Sequence, residues 1–179
     1  MSAKSLFATT CCLMATCATA LALAGSASAA TYPVSGKQIV VDEAAGTYKM
    51  NGGLVGKWEV TSFKELGSGS IFRAKGTERF KGCLDLRRDR SCAGDPSGTL
   101  SFTYLYWGEF EADDTLVWGS CWHPVVGGTG DFKHARGVLT MVDTPTAKGV
   151  STSYTGNITL GSPSAARAAA SASATAHCG

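Results

Sequence analysis

Only one long apolar run occurs in this 179-residue chain, near its start, and nothing after it is long enough to cross a membrane as a helix. Before residue 161 no apolar pattern at i, i+3, i+4, i+7 persists for a helix's length, which argues against a helical domain. Nucleotide loops are missing as well: no G-K-[ST] occurs, and reading G-x-G-x-x-G from Gly128 puts Lys133 where the third glycine belongs. There is no G-x-S-x-G elbow for a nucleophilic serine. The cysteines and histidines lack the C-x2-C and H-x3-H spacings of zinc sites. Charged residues make up 17% of the chain, and the basic run Arg73, Lys75, Arg79, Lys81, Arg87, Arg88 and Arg90 is interrupted by Glu78, Asp85 and Asp89. A solvated hairpin face explains that run better than a nucleic-acid site. The expected partners therefore include no cofactor, no metal and no nucleic acid.

What is present begins with an export pattern. Lys4, an uncharged Ala-, Thr- and Leu-rich stretch through Gly25, and the small residues Ser26 to Ala30 read as a secretory signal peptide over residues 1–30. Cys11, Cys12 and Cys17 lie inside it. The four remaining cysteines, Cys83, Cys92, Cys121 and Cys178, are an even number in a chain expected to be secreted and extracellular, which points to disulfides. Cys83 and Cys92 bracket the charged segment "LDLRRDRS", so the favoured pairing is Cys83 with Cys92 and Cys121 with Cys178. If Cys121 were free, it would share a strand face with His123, and a metal site with His134 would come into question. An ordinary hydrogen-bonded histidine is the better reading.

From residue 31 to 160 the chain reads as short strands and turns. "GTLSFTYLYW" puts Leu100, Phe102, Tyr104 and Tyr106 on one face, and "KWEVTSF" alternates Trp58, Val60 and Ser62 against Lys57, Glu59, Thr61 and Phe63. Seven or eight such strands, punctuated by Asp-Pro-Ser-Gly, Asp-Asp and Gly-Gly-Thr-Gly, predict an all-β fold. A closed eight-stranded antiparallel barrel leaves no edge unpaired, and its interior either fills with side chains or holds one small ligand. Residues 161–179, "GSPSAARAAASASATAHCG", are low-complexity and are expected to be weak helix or poorly ordered tail.

The segment "VVGGTGDFKHARG" is best explained as a hairpin corner, with glycines free to take positive φ, Asp131 bonding turn amides, and Gly137 letting a neighbour approach closely. It also resembles the "GGTG-x-F-x-x-ARG" signature of dirigent proteins, which share an eight-stranded barrel with allene oxide cyclases. Val125 to Gly130, Phe132, Ala135, Arg136 and Gly137 match position by position. "TSYTGNITL" resembles the closing strand of bacterial members of that superfamily, and "GKWEV" resembles the shorter G-x-W opening of lipocalins.

The resemblance implies a barrel that confines a small apolar or aromatic molecule, and if it is an enzyme, a cyclase or isomerase without a cofactor. Arg136 is the one ligand-binding position carried over by the motif. Asp131, Tyr104 and Glu109 join it by residue type. An ion pair from Arg136 to Asp131 or Asp143 is the equally weighted structural role. Related barrels trimerise, so a homo-oligomer is expected. The alternative is a solid, non-catalytic extracellular barrel acting through its surface as a structural or protein-interaction module.

Overall fold

A computed structural model describes residues 29–67 and 71–161. Residues 1–28 of the expected leader and the tail that contains Cys178 lie outside the described residues, and the last residue of the expected leader, Ala30, opens the first strand. Eight strands run in chain order: β1 Ala30–Asp42, β2 Thr47–Gly52, β3 Leu54–Glu65, β4 Ile71–Leu84, β5 Ser97–Phe110, β6 Leu116–Gly130, β7 Arg136–Thr146 and β8 Gly149–Leu160. Each pairs antiparallel with the next, and β1 returns to β8 from Ala30↔Leu160 to Gln38↔Thr152, which closes the barrel. Closure satisfies the outer N–H and C=O rows that an open sheet would expose.

Alternation fixes which side chains go inside. Leu100, Phe102 and Tyr104 of β5 are all buried, as their shared face in the sequence requires. β3 departs from the expected pattern. Its pairing with β4 shifts between Val60 and Ser62, so one extra residue is accommodated there and Phe63, expected on the outer face, stands opposite Gly76 on the inner one.

The glycine-dense corner is also displaced from its expected place. Gly127 to Gly130 still belong to β6, paired with Ser101, Leu100, Thr99 and Gly98 of β5, and the turn proper is Asp131–Ala135. Of the three glycines in this run, only Gly130 has positive φ, at 62°. At Gly128 the need is space: a Cβ there would come within 2.3 Å of the Phe132 carbonyl oxygen. That approach lets Phe132 fold back and plug the barrel base, where it is fully buried. Gly137 behaves as expected, since a Cβ on it would lie 2.0 Å from the Asn157 carbonyl oxygen.

The barrel has two unlike ends. At the base, Val34, Leu54, Leu84, Leu100, Phe132, Ile158 and Leu160 form a closed apolar core. Tyr154 crosses this region, donating to the Asn51 carbonyl at 2.9 Å and accepting from the Leu54 amide at 2.8 Å. The long β4–β5 loop outside the base is clasped by the Cys83–Cys92 disulfide, as expected from the spacing. Trp58 stacks on Phe102 at 4.7 Å between ring centroids in the middle of the barrel. Beyond that layer, toward the β1–β2, β3–β4, β5–β6 and β7–β8 turns, the packing opens.

Candidate functional site

The open end is a cup of about 320 Å³. Every strand contributes to it: Gln38 from β1, Tyr48 from β2, Val60 and Phe63 from β3, Phe72, Ala74 and Glu78 from β4, Tyr104, Tyr106 and Phe110 from β5, Cys121 and His123 from β6, Met141 and Asp143 from β7, and Thr152 from β8. Six aromatic rings make most of the wall. Phe72 packs edge-on against Tyr106 and Phe110, with centroids 6.1 and 5.9 Å apart, a geometry that aromatic quadrupoles favour. Phe63 and Phe110 reach the rim and are exposed there.

The floor is polar. Glu78 stands between Val60 and Phe102 in the sheet register, and its Oε2 lies 2.8 Å from His123 Nε2, with both side chains buried. The contact is an ion pair when the imidazole is protonated, and His123 Nδ1 has no hydrogen-bond partner. The His123 ring is held edge-on by Trp58 at 5.6 Å and tilted against Tyr104 at 6.0 Å. A carboxylate and an imidazole so placed can hold or pass a proton beneath a guest. Higher on the wall, Asp143 Oδ1 accepts a 2.5 Å bond from Thr152 Oγ1, and the Tyr106 hydroxyl lies beside the same carboxylate.

Burial and these two acids set the protonation of their neighbours. Burial pushes the Tyr104 hydroxyl up to about 12, with the Glu78 charge adding to it. Burial and then Asp143 raise Tyr106 further. Tyr48 is raised by burial first and by Glu78 next. The Cys121 thiol is raised well above its ordinary value by burial, then by Glu78 and Asp143. A thiol held protonated is a poor nucleophile. The phenols therefore face the cup as neutral hydrogen-bonding groups.

The sequence-derived candidates scatter relative to this cup. Tyr104 lines it. Glu109 is on the same strand but the opposite face, where its Oε2 accepts from Trp118 Nε1 at 2.7 Å. Asp131 and Arg136 are at the base end. Asp131 Oδ2 accepts from the Ser97 amide at 3.0 Å, tying the β6–β7 turn to the start of β5. Arg136 is exposed at the first position of β7, at the other end of that strand from Asp143. Cys121, expected in a bond to Cys178, is a free buried thiol that faces the cup. A disulfide from it would require the tail to enter the barrel mouth.

Glu78, Asp143 and Tyr106 were not singled out from sequence as site residues. Parity along β4 was the available signal for Glu78, since Phe72, Ala74, Glu78 and Phe80 fall on one face.

Neither possible metal grouping converges on the cup. His134 sits exposed in the turn Asp131–Ala135, far from Cys121 and His123. Asp85, Asp89 and Asp95 approach one another in the β4–β5 loop. There Asp85 accepts from the Asp89 and Arg90 amides, and the Arg87 guanidinium lies 3.7 Å from Asp89 and 3.6 Å from Asp95. The group works as a clasp for the loop. A groove of about 470 Å³ lies at the base between Tyr32, Asn51, Asp85 and the exposed Arg88 and Arg90, but its lining is polar and it is not enclosed by the barrel.

The outer surface differs by strand. On β3 and β4, Glu59 pairs with Lys57 at 2.5 Å and Arg79 at 2.7 Å, so part of the basic run forms a charged, solvated strand face. On β6 and β7, Trp118, Trp122 and Val142 are exposed. Among the described residues no helix is long and apolar enough to cross a membrane. No family model, curated protein or solved structure matches the chain.

Proposed function

We propose that the chain is an exported barrel that binds a small apolar or aromatic molecule in the cup and orients it by confinement. The observation that carries this reading is an aromatic-walled space of about 320 Å³, open at one end and floored by the buried Glu78–His123 contact. That volume is at the lower end of the range typical of ligand pockets, and the mix of apolar wall and few convergent polar groups is the usual one. A guest that fits is held with its reactive atoms near Tyr104, Tyr106 and the floor pair. Restricting its conformations would favour one cyclisation or coupling outcome over others. If the chain is an enzyme, it is of a cofactor-free cyclase or isomerase kind, with Glu78 and His123 handling the proton. Kinship with dirigent proteins and allene oxide cyclases belongs to this reading. The Cys83–Cys92 bond supports an extracellular place for it.

Calorimetric titration with a neutral naphthylmethanol tests the proposal. Binding is expected in the wild type, is lost in Gln38→Trp, where a ring enters the cup, and is unchanged in Trp122→Ala on the outer face. Binding that survives Gln38→Trp and disappears in Trp122→Ala would overturn it. A second reading, the surface-acting module, is favoured by exposed Trp118, Trp122 and Val142 beside Leu105 and Trp107. It predicts self-association, a trimer by analogy with related barrels, visible in light scattering and removed by Trp122→Glu.

A further inference from the structure

We infer that the guest is an organic cation, a small amine or quaternary ammonium with an aromatic or apolar body. This rests on the proposed binding role of the cup and names the chemistry of its ligand. Two carboxylates line the space, Glu78 and Asp143, and among the described residues no Lys or Arg does. The basic side chains Lys57 and Arg79 are instead on the outside, paired with Glu59. Asp143 accepts from the neutral Thr152 hydroxyl and has the neutral Tyr106 hydroxyl beside it. Glu78 Oε2 has His123 Nε2 at 2.8 Å and no further partner.

An uncharged guest would cover these acids and strip water from them without replacing its hydrogen bonds. An anionic guest would add repulsion. Even with His123 protonated, the two acids leave one negative charge, which a cation offsets while an ammonium adds donors. The walls point the same way, because the faces of Tyr48, Phe63, Phe72, Tyr104, Tyr106 and Phe110 carry the negative part of each ring's quadrupole and attract a desolvated cation. The phenols and thiol around Glu78 and Asp143 are raised first by burial and only after it by the charge of those acids.

The test compares three ligands of one shape on the full chain: naphthylmethylammonium, naphthylmethanol and naphthoate, titrated calorimetrically near neutral pH. The ammonium is expected to bind at least about tenfold tighter than the alcohol, and naphthoate weakest. Raising sodium chloride should weaken the ammonium and leave the alcohol unaffected. Asp143→Asn should narrow the gap between ammonium and alcohol. Equal affinity of ammonium and alcohol, or a preference for naphthoate, overturns the cationic guest while the small-molecule role stands. If none of the three binds, the cup has no such guest and both readings fall.

Discussion

Tyr154→Phe removes one oxygen from a ring that is 1% exposed, and the structure fixes what that oxygen does. The hydroxyl donates to the Asn51 carbonyl at 2.9 Å and accepts from the Leu54 amide at 2.8 Å. It thereby ties β8 to the β2–β3 hairpin across the barrel base. Two hydrogen bonds at about 1 kcal/mol each, with a buried amide left unpaired, give an expected loss of about 2–4 kcal/mol. Urea unfolding of both proteins at neutral pH measures it as a lower midpoint at unchanged m.

A pH series adds a second arm. Burial pushes the Tyr154 hydroxyl up to about 12 against the lowering pull of the Leu54 amide, with Asp85 adding slightly, whereas the unfolded value is 10. Folding therefore requires the protonated phenol. Its contribution is fully present below pH 10 and is lost as pH rises toward 12, so the gap between wild type and variant narrows over that window. A loss below about 0.5 kcal/mol at neutral pH, or a gap that widens in alkali, would refute the reasoning.

Three further outcomes follow from the same structure. Replacing Cys83 and Cys92 together by serine opens a loop of about ten residues and should cost about 3 kcal/mol in urea unfolding, with ligand binding in the distant cup unchanged. Glu59 is held near a pKa of about 2, first by Lys57 and then by Arg79; a lowered carboxyl favours the fold above about 4.5 and loses that effect as pH falls toward 2. Because the pair is on the surface, Glu59→Gln should cost under about 1 kcal/mol at neutral pH, shrinking in acid and in salt. Arg136→Ala, exposed at the base end, should leave calorimetric binding of a naphthyl guest unchanged, and a clear loss of affinity would place the guest elsewhere than the cup.

The closed barrel was legible because period-two alternation survives where nothing interrupts it, as from Leu100 to Tyr106. It failed where the backbone changes phase. The extra residue between Val60 and Ser62 turns Phe63 inward, and a second irregularity between Ser101 and Phe102 lets the glycine run continue as strand to Gly130. No composition rule marks such bulges, because they are set by pairing with a neighbour distant in sequence. The cysteine arithmetic succeeded for Cys83 and Cys92, where both ends belong to one loop. The partner expected for Cys121, Cys178, lies outside the described residues, and parity with His123 told which way Cys121 points, since both face inward.

The site was partly legible. Tyr104 was placed correctly on the inner face, but Glu109, Asp131 and Arg136 were chosen by motif or charge rather than by which face or end of the barrel they occupy. Glu78 was passed over because a carboxylate inside an apolar strand reads as surface until closure shows that its neighbours are Phe80, Phe102 and His123.

The central claim is that the interior above Trp58 is open and takes a guest there. Methionine methyl labelling tests it directly: Met141 lines the cup, whereas Met50 is sealed in the core. A bound naphthyl guest should show nuclear Overhauser contacts to the Met141 methyl and none to Met50. Contacts confined to the outer rings of Trp118 and Trp122, with Met141 silent, would contradict it.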